Sequence, residues 1–78
     1  MTAYNPGQVV ARYYPMTDTQ YVVEQVATRF EDRDGCQVFQ WFVLNTETPD
    51  PATGNGAVVG QFYSHREAVE HVEKLVRY

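Results

Sequence analysis

Hydrophobic and polar positions change period along this chain, and the changes mark its elements. Residues 8–14 (QVVARYY) are β-branched and aromatic, follow a Pro6-Gly7 turn signal and stop at Pro15, so they read as a first strand. Residues 21–30 (YVVEQVATRF) fit two periods. As a helix, Val22, Val23, Val26, Ala27 and Phe30 make one stripe, with Thr17 and Gln20 as a capping box. As a strand, Val22, Val26 and Phe30 share a face with Glu24 and Thr28 between them. The density of β-branched residues favours the strand. So does Asp32-Arg33-Asp34-Gly35, a hairpin turn that leads straight into another strand.

That next strand, residues 36–44 (CQVFQWFVL), is apolar at both parities. Cys36, Val38, Phe42 and Leu44 alternate with Phe39, Trp41 and Val43, the mark of a central strand covered on two sides. A long polar connection occupies residues 45–56, rich in Pro, Thr, Asn and acids. Residues 57–63 (AVVGQFY) are a further strand, in which Gly60 signals a bulge or a close approach. Ser64-His65-Arg66-Glu67 then opens a helix as a capping box. Ala68, Val69, Val72, Leu75 and Val76 form its apolar stripe. Glu70 with Lys74 and Glu73 with Arg77 stand at four-residue spacing on the outside.

These elements predict an α+β fold. It is an antiparallel meander of three to four strands, with one C-terminal amphipathic helix packed on one face, in a single domain of residues 1–78. One helix covers one face of a sheet and leaves the other to something else. The choices are the N-terminal arm, the long connection, a second copy of the chain or a different protein. Small domains bury a limited share of their surface and usually need a staple. A lone Cys36 excludes an internal disulfide and a cysteine-based zinc cage. The expectation is therefore a homodimer, made by the uncovered sheet face or by an edge strand. Trp41, Phe39, Val43, Tyr13 and Tyr21 are its expected interface, because aromatic residues dominate interface energetics.

Charge narrows the partners further. The formal net charge is −4 and the isoelectric point about 4.9, which argues against direct binding to a phosphate backbone. The acids fall into two groups: Glu31, Asp32 and Asp34 at the hairpin turn, and Glu67, Glu70 and Glu73 along the helix. They support an alternative role, an acidic inhibitor of the phage or mobile-element type that mimics nucleic acid and blocks a basic surface on an enzyme.

Catalytic chemistry finds little footing. Cys36 begins a strand rather than a helix, so nothing activates it as a nucleophile with His65 or His71 as base. The two histidines lie six residues apart and point to different sides of the helix, and His71 falls within reach of Glu67. The acidic turn lacks the ligand spacing of a calcium loop. Gly54-Asn55-Gly56 leads into a strand rather than into a helix that would cradle phosphate. Neither enzyme activity nor a cofactor is expected. The N-terminal residues show no basic start followed by an apolar run, and no stretch is long enough for a membrane helix. A cytoplasmic protein with Cys36 reduced is the expectation. Its role is a small acidic protein-interaction module, self-associating through its sheet and open to a further protein partner.

Overall fold

The computed structural model describes residues 4–16, 19–49 and 56–77. The elements run β1 (Val9–Tyr13), β2 (Tyr21–Glu31), β3 (Gln37–Pro49), β4 (Gly56–Phe62) and α1 (His65–Arg77). The strands form one antiparallel sheet in chain order, β1-β2-β3-β4, with α1 packed on one side. This is the α+β meander that the hydrophobic pattern predicts.

Residues 21–30 resolve as strand. Val23 stands opposite Tyr13 on one side and Val43 on the other, so β2 is paired along both edges. Thr17, which would begin the helical alternative, lies outside the described residues. The β2–β3 turn is held by Asp32, whose Oδ1 accepts the Asp34 and Cys36 amides at 2.9 Å each. Gly35 closes the turn at a φ of +78°, a left-handed value that favours glycine.

The long connection is shorter than its composition suggests. β3 continues past Leu44 to Pro49, and Asn45 pairs with both Tyr21 and Ala57. Thr46 holds this extension, donating both its amide and its hydroxyl to the Gln20 carbonyl at 2.8 Å. This end of the hairpin is polar, so hydrophobic alternation cannot reveal it as strand. The tip, residues 50–55 with Asp50, lies outside the described residues.

The core sits between α1 and the middle of the sheet. Val23, Val43, Ala68 and Val72 are wholly buried there, ringed by Tyr13, Tyr21, Trp41, Phe62 and Leu75. Ser64 starts the helix as expected, its Oγ accepting the Glu67 amide at 3.2 Å. The outer ion pairs differ from expectation. Glu70 pairs backwards with Arg66 at 3.2 Å rather than forwards with Lys74. Either partner lies one turn away, and the Arg66 guanidinium is the one in contact.

The N-terminal arm finishes the cover on the same side. Gly7 donates to the Ala27 carbonyl at 2.8 Å, and the Ala27 amide donates to Gln8 at 3.0 Å. Beyond that turn the Tyr4 ring meets Phe39 edge-on at 6.0 Å. Gln37 clasps the Tyr4 backbone, accepting its amide at 3.1 Å and donating to its carbonyl at 2.9 Å.

Candidate functional site

Alternation along β2 and β3 sorts the sheet into two faces, and the helix takes the one that carries tryptophan. Tyr13, Tyr21, Phe39, Trp41 and Val43, the five residues expected at an interface, share the parity of the buried Val23. Val43 is in the core beneath α1. Trp41 is held by rings from two elements. His65, in the first turn of α1, stacks on it with planes 6° apart and centroids 4.9 Å apart. Tyr13 lies 5.6 Å from Trp41 and 4.6 Å from His65, and its hydroxyl donates to Gln25 Oε1 at 3.2 Å. Phe39 is covered by Tyr4. The expectation that this face is the spare one is corrected. Both parities of β3 are apolar, so the pattern alone does not say which side a single helix will choose.

The spare face is the opposite one. Val26, Phe42 and Leu44 lie in its interior, and Val9 and Val58 stand at its two borders, each 48% exposed. Val22 faces Leu44 across the strands, and both are buried. One charged pair interrupts the apolar surface. Arg12 reaches Glu24 Oε2 with Nε at 3.1 Å and Nη2 at 2.6 Å. The Glu24 carboxylate, with the Tyr14 hydroxyl behind it, raises the Arg12 pKa above its ordinary value. Sequence reading did not single out Val9, Val58 or this pair. The available signal was the even parity of Val22, Glu24 and Val26, weaker than the aromatic run beside it.

Two further residues take other places than expected. His71 does not turn to Glu67. Its Nε2 lies 3.1 Å from the Val59 carbonyl, which can only accept, so this nitrogen carries the proton. Its ring lies against Phe62 at 5.2 Å and over Gly60. Cys36, read from the sequence as the first residue of a strand, is exposed and precedes β3. It sits at the turn, bonded through its amide to Asp32, whereas His65 lies level with Trp41 and His71 level with Val43. Among the described residues no three His, Cys, Asp or Glu side chains gather as metal ligands, and no helix is long and apolar enough to cross a membrane.

The acids do not merge into one patch. Glu31, Asp32 and Asp34 are exposed at the turn, beyond the Gln37 end of β3. α1 starts level with Trp41 and runs away from that turn, so Glu67, Glu70 and Glu73 lie towards the other end. Among the described residues, α1 and the N-terminal arm cover one face of the sheet; the other is apolar, buried at Val22 and Leu44 and exposed at Val9 and Val58. No family model, no curated protein and no solved structure matches this chain.

Proposed function

We propose that this chain is a small, non-enzymatic protein-interaction module that self-associates through its sheet. The observation that carries the reading is the one-sided cover: α1 and the N-terminal arm lie on the same face. The other face keeps Val9, Tyr14 and Val58 exposed beside Val26 and Phe42. Contact surfaces of this kind, apolar with a polar pair inside, suit a protein partner better than a small molecule or a nucleic acid. A reducing cytoplasm suits the exposed Cys36 thiol, which would otherwise cross-link copies.

The test is absolute molar mass by light scattering behind a sizing column, across a concentration series. The expected result is a shift from 9.0 kDa towards twice that mass as concentration rises. A mass fixed at 9.0 kDa overturns self-association.

A further inference from the structure

A four-stranded sheet has two edges, and here they differ. β1 is guarded. It has five residues, carries Arg12, is bulged between Val9 and Ala11, and is followed by Pro15. Short length, charge, bulges and proline are the devices that stop an edge from pairing with another chain. β4 lacks most of them. Its seven residues, GAVVGQF, include no charge and no proline. Val58 and Val59 are 48% and 39% exposed. β4 itself bulges once, at Val59, between the pairs Val43↔Gly60 and Leu44↔Val58; the second shift in its pairing, between Asn45 and Pro49, places the extra residues on β3. The Val59 carbonyl is already bonded to His71, which leaves the stretches on either side of it to offer backbone groups.

The helix supplies a second, independent observation. His71 lies over Gly60 of β4, so the His71 flank of α1 is the flank that faces this edge. At about 100° per residue, Glu67 and Lys74 share that flank, one turn before and one turn after His71. Both side chains are exposed, and neither has an ion-pair partner among the described residues. They are opposite charges placed symmetrically about the point where the strand bulges.

We propose that two copies join edge to edge along β4, antiparallel, into one eight-stranded sheet. The twofold axis passes near Val59. It sets residues 56–58 of one copy beside residues 60–62 of the other. Because α1 lies on one face only, the same axis brings the two helices side by side and antiparallel, with Glu67 of each facing Lys74 of its partner. An interface of this type is isologous, and its charges complement themselves. The inference rests on the self-association reading and gives it a geometry. It also places the two helix-free faces next to each other as one continuous apolar surface.

Five variants, all at exposed positions, test it in the full chain by dimer dissociation constant, with circular dichroism as the fold control. Val59→Lys is expected to leave a folded monomer. Glu67→Lys alone, or Lys74→Glu alone, sets like charges across the axis and weakens the dimer roughly tenfold. Glu67→Lys with Lys74→Glu on one chain restores the original constant, because each copy then meets the reversed pair. Val9→Lys, on the spare face, stays dimeric. A chain that is monomeric at every concentration overturns self-association itself and leaves β4 to an extended segment of another protein. A dimer that survives Val59→Lys but dissociates with Val9→Lys keeps self-association and overturns the edge geometry. Dissociation by Val59→Lys without rescue by the double reversal overturns the helix register.

Discussion

Gly60 has no side chain, and two rings use the space. A Cβ built there would stand 2.8 Å from Phe62 Cε2 and 2.9 Å from His71 Cδ2. The backbone at Gly60 is ordinary strand, so alanine meets no conformational barrier and would gain roughly 0.4–1 kcal/mol from a stiffer unfolded chain. Overpacking costs about 1–3 kcal/mol, which is larger, so Gly60→Ala is expected to destabilise. Removing the His71 ring in the same chain should return part of that loss, because His71 is one of the two obstructions. Urea unfolding of the single and double variants measures the coupling, and strictly additive losses would contradict the packing described here. Trp41 has a different weight. Its ring is shared by Tyr13 and His65, so Trp41→Ala opens the seam between α1 and the sheet. A loss of about 3 kcal/mol is expected, a large part of the stability of so small a domain. Circular dichroism must be the readout, since Trp41 is the chain's one tryptophan.

At the scale of elements, α1 depends on its first turn. Ser64→Ala removes the acceptor of the Glu67 amide and should cost about 1 kcal/mol, whereas Ser64→Asp keeps the cap. Faster hydrogen exchange at the Glu67 amide in the alanine variant, and unchanged exchange in the aspartate one, is the expected pattern. The pair between β1 and β2 behaves differently. Arg12 is half exposed, so a double-mutant cycle with Glu24 should give a coupling of only about 0.2–1 kcal/mol. The Arg12 pKa is raised in the folded state, so its stabilisation is complete below the unfolded value and is lost only as pH rises through the folded one. That window is strongly alkaline, and titration of Arg12 leaves the coupling untouched near neutrality. Element type was legible where β-branched density, turn chemistry and capping agree: β2 is a strand because it is dense in β-branched residues and Asp32 begins a turn that returns it. The side that α1 covers was not legible. Val38, Phe42 and Leu44 compete with Phe39, Trp41 and Val43, and the choice is visible only in the packing, where Ala68 and Val72 meet Val43 and His65 stacks on Trp41. The length of β3 was hidden for the opposite reason. Its last residues are polar, and hydrogen bonds from Thr46 to Gln20 hold them where no hydrophobic signal exists.

For the whole molecule, the thickness of the fold sets the problem. The chain is a slab of 39 × 27 × 16 Å, one sheet and one helix deep, and among the described residues its wholly buried cluster is Val23, Val43, Ala68 and Val72, with Val22, Ala27 and Leu44 buried nearby in the sheet. A core of that size leaves little stability in reserve, and association is the remaining way to add some without a disulfide. Mass action then makes the melting temperature depend on concentration. If folded chains pair and unfolded ones do not, a hundredfold rise above the dissociation constant adds about 1.4 kcal/mol per chain, which moves Tm upward by roughly 5–10 °C in a domain of this length. Val59→Lys should remove that dependence while keeping the low-concentration Tm, because it acts on the joint and leaves the core alone. Charge opposes the joint in a measurable way. Each copy carries −4, so the pair concentrates acid that two Glu67–Lys74 contacts only partly offset. Calorimetry over a concentration series reads both quantities at once. A Tm that stays constant from dilute to concentrated solution would show that the thin slab is stable alone, and the unguarded edge of β4 would then need a reason other than self-pairing.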